Sequence, residues 1–287
     1  MKLGLIGKAI LHSSSPDLHV RLRKLTDIAT PYDLFDANEA PIDSLEDKVS
    51  ELIAAGYRGV NVTYPFKERA VALASSASEG VRMVGSSNTL VFEADGIHAE
   101  NTDFTGFMSG YRATLGERPP GRVLLIGTGG VGKAAAFGVA RLGASEVLLV
   151  DLEAAKAEQL AEELRRFGFS ARAVAADDVD RVAPDCDGLV NCTPIGHEKS
   201  PGCPLAPSLL RSHHWIFDAV YVPAVTEFVA AARQAGASVM SGVSLFVFQG
   251  VDAFKHFCED ERKRAAADEQ AASLFAHYRR ELLKENP

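Results

Sequence analysis

The chain lacks several features that would assign it to a membrane, to export or to a nucleic acid. It has no continuous apolar stretch of 18 residues, so no membrane-spanning helix is expected. The N-terminus, MKLGLIGKAI, runs directly into a strand-like segment and does not have the pattern of a signal peptide. No run of five like charges occurs and the net charge is −8, which disfavours a nucleic-acid-binding surface. We therefore expect a cytoplasmic protein with no nucleic-acid or membrane partner.

Cysteine is also scarce, and no metal site is expected. The four cysteines form no C-x-x-C pair and are interpreted as reduced thiols; they are Cys186, Cys192, Cys203 and Cys258. Three histidines lie near them in the sequence, namely His197, His213 and His214. The spacings between these residues match no zinc-binding pattern.

The residues that are present indicate two α/β domains. A chain of 287 residues with 47% hydrophobic residues is long enough for two cores. Strand-like and helix-like segments alternate throughout, which is typical of α/β proteins. The segment Gly116–Gly121 contains Pro119 and Pro120 and has the composition of a linker. The apolar run Val123–Ile126 that follows is typical of a strand buried on both faces of a parallel sheet.

A glycine-rich loop follows that run. Its pattern is G-x-G-x-x-G, and it precedes an alanine-rich helix ending near Gly143. This strand–loop–helix context predicts a dinucleotide site, because the glycines permit a tight turn and close approach of a pyrophosphate to a helix N-terminus. The predicted cofactor-binding residues of the loop are Gly127, Thr128, Gly129, Gly130, Val131 and Gly132.

An acidic residue stands where the adenosine ribose of the cofactor should bind. Asp151 ends the predicted strand Glu146–Val150 and could accept hydrogen bonds from the ribose hydroxyls of NAD. It would repel the 2′-phosphate of NADP, so we predict that NAD is preferred, with NADP as the alternative. Lys133 and Lys156 are the nearest basic residues and could lessen that repulsion. Asp151 could also serve as a helix N-cap.

Polar residues in the first half suit a small polyhydroxylated acid. Lys67 and Asp103 are a natural pair for moving a proton during hydride transfer. Taken alone, Lys67 would be read as a solvated lysine at a helix start. Asp103 and Ser15 alone would be read as helix caps.

Seven segments, in order along nearly the whole chain, resemble the motifs of the shikimate dehydrogenase family. They are Leu11–Pro16 (S-x-S-P), Asn61–Lys67 (N-V-T-x-P-x-K), Gly85–Leu90 (G-A-x-N-T), Asn101–Asp103 (N-T-D), Asn191–Gly196 (N-x-T-P-x-G), Asp218–Tyr221 (D-x-x-Y) and the stretch around Gln249. Together they are far more specific than any one motif.

The resemblance implies a role for each matching residue. Lys67 and Asp103 would be the catalytic pair. The substrate-binding residues would be Ser13, Ser15 and Tyr221 at a carboxylate, and Thr63, Asn88, Asp103 and Gln249 at ring hydroxyls. The cofactor would also contact Thr193, Ala219 and Gly242, the last two beside the nicotinamide.

The resemblance also implies an architecture. Residues 1–103 would form an α/β substrate-binding domain and residues 104–240 a Rossmann NAD(P)-binding domain. Residues 241–287 would be C-terminal helices returning to the first domain.

The substrate remains open at this point, between shikimate and quinate. Asp151 and the segment Asn101–Phe107 resemble the quinate/shikimate branch of the family, whereas Ser15 favours shikimate. The alternatives are a dehydrogenase of an amino-substituted shikimate analogue and a non-catalytic nucleotide-binding regulator on the same fold. Retention of both Lys67 and Asp103 argues against a regulator. A monomer or a homodimer is expected.

Overall fold

The computed structural model describes residues 1–26 and 31–283. The chain divides into two compact units. The first unit comprises Met1–Gly106 and Val247–Leu274. The second comprises Phe107–Phe246 and the residues from Phe275 onward.

A mixed sheet of six strands forms the centre of the first unit. The strands are β1 (Lys2–Gly7), β2 (Tyr32–Asp36), β3 (Tyr57–Val62), β4 (Ser76–Ala77), β5 (Thr89–Glu93) and β6 (Gly96–Glu100), in the order β2-β1-β3-β5-β6-β4. β1 is parallel to β2 and β3, whereas β5 is antiparallel to β3 and β6. The ends of β1 and β3 therefore meet at one edge of the sheet.

Five helices begin among the described residues of the segment Met1–Gly106. They are α1 (Ser15–Thr26), α2 (Leu45–Ala54), α3 (Lys67–Val71), α4 (Glu79–Val84) and α5 (Thr102–Leu115). Serine caps start two of them, because Ser44 accepts from the Asp47 N–H and Ser78 accepts from the Val81 N–H. Gly85 ends α4 with a φ of 72°, a conformation that favours glycine.

The apolar face of α2 packs against the first sheet. The core here includes Val49 and Leu52 from α2, and Ile6, Val60 and Leu90 from the sheet. All of these side chains are buried, which holds the strand ends in place.

A parallel sheet of six strands forms the centre of the second unit. The strands are β7 (Arg122–Ile126), β8 (Glu146–Val150), β9 (Ala171–Ala173), β10 (Gly188–Asn191), β11 (Trp215–Asp218) and β12 (Ser238–Ser241), in the order β12-β11-β10-β7-β8-β9. Every pairing in this sheet is parallel. This order is that of a doubly wound dinucleotide-binding fold, with its switch point between β7 and β10.

Helices connect these strands, and two more follow the last strand up to Leu283. They are α6 (Gly130–Arg141), α7 (Ala154–Arg166), α8 (Val179–Val182), α9 (Glu227–Gln234), α10 (Gly242–Phe257) and α11 (Glu261–Leu283), with short 3-10 turns at Ala176–Asp178, Ala183–Asp185 and Pro207–Leu209. Buried residues of the sheet, among them Leu124, Leu148, Leu189 and Ile216, form its core with Phe228 of α9.

The predicted fold class is confirmed. The strand Glu146–Val150 has the predicted bounds. The short strands β4, β9 and β12 were not predicted, because two to four residues give too little alternation to recognise. The domain boundaries at residues 103 and 240 stay predictions. Within the described residues, no helix is both long enough and apolar enough to cross a membrane.

Candidate active site

Lys67 and Asp103 form a close ion pair in the first unit. Lys67 Nζ lies 2.6 Å from Asp103 Oδ2, and the two side chains are 18% and 10% exposed. Lys67 is the first residue of α3 and Asp103 lies in the first turn of α5. Both side chains are mostly buried but remain partly accessible to solvent. A bound small molecule could therefore exchange a proton with this pair.

Hydrogen bonds from neighbouring residues hold the backbone at Lys67 and the helix start that carries Asp103. The Lys67 carbonyl accepts the Ser87 N–H at 2.9 Å. Asn101 Oδ1 accepts the Phe104 N–H at 3.0 Å and so caps α5, while Asn101 Nδ2 donates to the Ser86 carbonyl at 2.8 Å. The cap of α5 is therefore Asn101, and Asp103 is left to pair with Lys67.

Ser13 and Ser15 lie side by side at the start of α1. Their hydroxyl oxygens are 3.1 Å apart, and Ser13 Oγ also accepts the Ser15 N–H at 3.2 Å. Both side chains are partly exposed. Two hydroxyls and a helix start thus offer uncharged donors to an anionic group.

A buried aspartate holds the loop that precedes these serines. Asp36, at the end of β2, accepts the N–H groups of Ala9 and Ile10 at 2.9 and 2.7 Å. Ala9 has a φ of 59°, a left-handed conformation that is costly for a residue other than glycine. Hydrogen bonds from Asn38, Ile10 and Ala9 hold the pKa of Asp36 below its usual value, so the carboxylate stays charged and keeps the loop closed.

Thr63 follows β3 directly and is packed against β1. Its N–H donates to the Ile6 carbonyl at 2.9 Å. A Cβ at Gly7 would lie 2.3 Å from the Thr63 methyl group, so only glycine permits this approach. The Thr63 side chain is therefore held at the same edge of the sheet as Lys67.

Asn88 and Gln249 are the remaining predicted substrate residues of the first unit. Asn88 is 4% exposed and is tied by hydrogen bonds to Thr102, directly before Asp103. Gln249, on α10, packs closely on α5, because a Cβ at Gly106 would lie 2.4 Å from its backbone nitrogen. Seven predicted residues thus belong to one unit: Ser13, Ser15, Thr63, Lys67, Asn88, Asp103 and Gln249.

The glycine loop of the second unit has the geometry of a nucleotide-binding turn. Gly127 has a φ of 93°, and a Cβ at Gly132 would lie 1.9 Å from the Gly127 carbonyl oxygen. Both positions therefore need glycine to close the turn. A Cβ at Gly129 would meet nothing within 4 Å, so the fold itself does not require glycine there. The start of α6 has no side-chain cap, so its N–H groups are free of a side-chain partner there. The absence of a side chain at Gly129 leaves space for a pyrophosphate beside these groups.

Asp151 follows β8 and is bound to the same loop. Its Oδ2 accepts both the N–H and the hydroxyl of Thr128 at 2.8 Å, and its Oδ1 accepts the Glu153 N–H at 3.0 Å. Burial opposes ionisation of Asp151, but these hydrogen bonds hold its pKa below the usual value. The carboxylate is therefore charged. It is not the N-cap of α7, because that position is occupied by Glu153.

The two lysines that could neutralise Asp151 have acidic partners of their own. Lys156 Nζ lies 2.6 Å from Glu153 Oε1, and Lys133 Nζ lies 3.7 Å from Glu163 Oε2. Both lysines are therefore already paired with a glutamate, although the charge of Lys156 also helps to lower the pKa of Asp151.

The other predicted cofactor residues lie at the ends of neighbouring strands of this sheet. Thr193 follows β10, and its hydroxyl donates to Asn191 Oδ1 at 2.7 Å. Ala219 follows β11, and a Cβ at Gly242 would lie 2.6 Å from the Ala219 carbonyl. Tyr221, also in the second unit, stacks on Phe246 with ring centroids 5.6 Å apart. All five strand ends that carry predicted residues lie at the edge where nucleotides bind in doubly wound sheets.

Some residues that organise the site were not singled out from the sequence. Asp36, Asn61 and Thr89 hold the loops and side chains of the first unit. A polar residue such as Asn61 inside the apolar run of β3 is the one signal that could have indicated them, because buried amides need partners.

Comparison with known proteins identifies the family. A family model described as the shikimate dehydrogenase substrate binding domain matches residues 5–90. One described as the saccharopine dehydrogenase NADP binding domain matches residues 123–199. A shikimate dehydrogenase (NADP(+)) of Pseudarthrobacter chlorophenolicus is 35% identical, covering 94% of this chain and 97% of that protein. This chain belongs to the shikimate dehydrogenase family.

Members of the shikimate dehydrogenase family with either cofactor resemble this chain. A quinate/shikimate dehydrogenase (NAD(+)) of Corynebacterium efficiens is 34% identical, covering 92% of this chain and 96% of that protein. The solved quinate dehydrogenase of Corynebacterium glutamicum in complex with NAD is 31% identical with a TM-score of 0.87, covering 94% of this chain and 99% of that one. The predicted class, an NAD(P)-dependent oxidoreductase of the shikimate/quinate dehydrogenase type, is confirmed.

Proposed function

We propose that the protein catalyses reversible hydride transfer between NAD and the ring carbon that bears the reacting hydroxyl of shikimate or quinate. The observation that carries this proposal is the 2.6 Å ion pair of Lys67 and Asp103, in the unit that holds the other substrate-side residues. A sensor on the same fold would not need this pair. Relatives named for shikimate and for quinate support the substrate class.

Lys67 and Asp103 are assigned the proton transfer. A bound nicotinamide supplies the hydride acceptor or donor. When the ketone is reduced, the Lys67 ammonium would donate a proton to the oxygen that becomes a hydroxyl. When the alcohol is oxidised, the pair would take that proton back. Asp103 would orient the ammonium in both directions, which is the usual work of a general acid–base pair.

Ser13 and Ser15 are assigned to the substrate carboxylate, with Tyr221. All three are uncharged donors, and hydrogen bonds to a charged group contribute about 1.5–3 kcal/mol each. Burial raises the pKa of Tyr221, so its hydroxyl keeps the proton that it would donate. Thr63, Asn88, Asp103 and Gln249 are assigned to ring hydroxyls.

NAD is assigned as the preferred cofactor, with NADP as the alternative. The loop residues from Gly127 to Gly132, with Thr193, Ala219 and Gly242, would hold its pyrophosphate and nicotinamide ends. Asp151 would accept a ribose hydroxyl and repel a 2′-phosphate. The ion pairs of Lys133 with Glu163 and of Lys156 with Glu153 support this assignment.

A steady-state assay tests the function. Purified protein is mixed with shikimate or quinate and with NAD or NADP, and the reduced nicotinamide is followed by its absorbance. We expect turnover with NAD and at least one of the two acids. Failure of all four combinations would overturn the proposed function. The monomeric or homodimeric state and the cytoplasmic location stay predictions.

A further inference from the structure

A buried chain of hydrogen bonds runs behind the substrate-side residues of the first unit. Tyr32 on β2 donates to Asn61 Oδ1 on β3 at 2.9 Å. Asn61 Nδ2 donates to Thr89 Oγ1 on β5 at 3.0 Å, and Thr89 Oγ1 donates to Asn88 Oδ1 at 3.1 Å. Asn61, Asn88 and Thr89 are 7%, 4% and 0% exposed. Four side chains from three strands and a strand end are thus connected, three of them buried and Tyr32 partly exposed.

The direction of this chain follows from two backbone groups. Asn61 Nδ2 faces the Asn88 carbonyl oxygen at 3.3 Å, and Asn88 Oδ1 faces the Thr102 N–H at 2.7 Å. A carbonyl oxygen can only accept and a backbone N–H can only donate, so both amide side chains have one possible orientation. The Tyr32 hydroxyl must therefore donate to Asn61. The Thr89 hydroxyl accepts a hydrogen bond from Asn61 Nδ2 and donates one to Asn88 Oδ1.

Asn88 is consequently oriented with its amide nitrogen available. Its oxygen is occupied by Thr102 and Thr89, while one N–H of Nδ2 donates to Thr102 Oγ1 at 3.0 Å. Among residues 1–26 and 31–283, the second N–H has no acceptor. Asn88 is bonded to Thr102, which precedes Asp103, and Ser87, which precedes Asn88, donates its N–H to the Lys67 carbonyl at 2.9 Å, so the Asn88 amide lies near the ion pair.

The far end of the chain is fixed by packing. The His19 ring of α1 stacks on Tyr32 with centroids 4.2 Å apart and an interplanar angle of 18°. Burial lowers the pKa of His19 to about 3, so this ring is neutral near pH 7. A neutral, 1% exposed ring can hold Tyr32 in place without a counter-charge.

We propose that Tyr32, Asn61 and Thr89 are positioning residues that hold Asn88 as an N–H donor toward a substrate hydroxyl. The inference rests on the proposed function, in which Asn88 contacts that hydroxyl. A hydroxyl oxygen can accept from this N–H, whereas a protonated amine has no lone pair to do so. The arrangement therefore favours a hydroxyl over an ammonium group at the contacted ring position.

A double-mutant cycle with Thr89→Val and Asn88→Ala tests the inference. Thr89→Val keeps the shape of the side chain but removes its hydroxyl. In the parent protein it should raise the KM for the active acid by about 3- to 10-fold, the value of one hydrogen bond. In the Asn88→Ala background the same substitution should change KM by less than about 1.5-fold.

Two further variants serve as controls. Thr89→Ser restores a hydroxyl and should return KM to within about 2-fold of the parent value. Tyr32→Phe removes the first donor of the chain and should raise KM in the same direction but less. The same factor for Thr89→Val in both backgrounds, or no change in the parent, would overturn the inference.

A readout without turnover separates this inference from the proposed function. In a protein labelled with ¹⁵N-asparagine, the Asn88 side-chain amide signal is assigned by its loss in Asn88→Ala. Its exchange with water should be at least about 3-fold faster in Thr89→Val than in the parent, because a hydrogen bond that orients the amide is lost. Unchanged exchange contradicts the positioning chain, whereas a parent protein inactive with both acids contradicts only the function.

Discussion

The two units bind their ligands by different means. In the second unit the glycine loop would bind the cofactor through its backbone N–H groups. Asp151 is the one predicted cofactor residue with an ionised side chain. In the first unit the substrate would be bound by side chains from separate strands and helices, connected through buried and partly buried hydrogen bonds. A cofactor site made of backbone can be recognised from one contiguous motif. A substrate site made of side chains depends on residues that the sequence keeps far apart.

The largest expected effect separates the units through catalysis. Lys67→Ala and Asp103→Ala should each lower kcat by about 10²-fold or more, because a general acid–base group is lost. Steady-state turnover with saturating NAD measures this. The control is Lys48→Ala, which removes a lysine paired with Glu51 on α2. Near-parent kcat in both site variants would show that the pair is structural only.

The next effect concerns the single acidic side chain of the cofactor unit. Like-charge repulsion costs several kcal/mol, so the parent should prefer NAD over NADP by about 100-fold in kcat/KM. Asp151→Ala should reduce that preference by at least about 10-fold. Asp180→Ala, which removes an exposed acid of the same unit, should leave it unchanged. A parent that uses NADP as efficiently as NAD would contradict the assignment.

A smaller effect, on the pH dependence of stability, is expected from the buried His19 ring of the first unit. His19 is neutral in the folded protein down to about pH 3, whereas in the unfolded chain it gains a proton below about 6.5. Between these values the unfolded state binds more protons, so stability should fall as the pH is lowered, by about 1.4 kcal/mol per unit well below 6.5. Urea unfolding at pH 7 and pH 5 should show a weaker pH dependence for His19→Gln than for the parent.

The matched control for that experiment is His12→Gln. The His12 side chain is exposed, so this variant removes a histidine without changing the buried core. An unchanged dependence in His19→Gln would mean that the ring is not buried as a neutral group.

The same contrast explains how much could be predicted from the sequence. The fold class and the loop around Gly127 could be predicted, because a buried strand, three glycines and a helix are contiguous. The catalytic role of Lys67 and Asp103 was predicted from the motif resemblance, because each residue alone is typical of an ordinary helix start. Nothing in the sequence shows that they lie 2.6 Å apart.

The residues that support the site could not be predicted for a physical reason. Asp36 acts on backbone N–H groups of Ala9 and Ile10, which are specified by a loop conformation and not by residue type. Thr89 and Asn61 act through pairing of β3 with β5, and that register becomes visible only in the sheet. Strands as short as β4 also cannot be predicted from the sequence, because two residues show no periodicity.

Binding of NAD without substrate tests the division of labour most directly. The dissociation constant is measured by titration of the parent, Lys67→Ala and Asp151→Ala. We predict that Lys67→Ala binds NAD within about 2-fold of the parent, while Asp151→Ala binds it about 10-fold more weakly, as for loss of a hydrogen bond to a charged group. Equal weakening in both variants, or weakening in Lys67→Ala alone, would contradict the account.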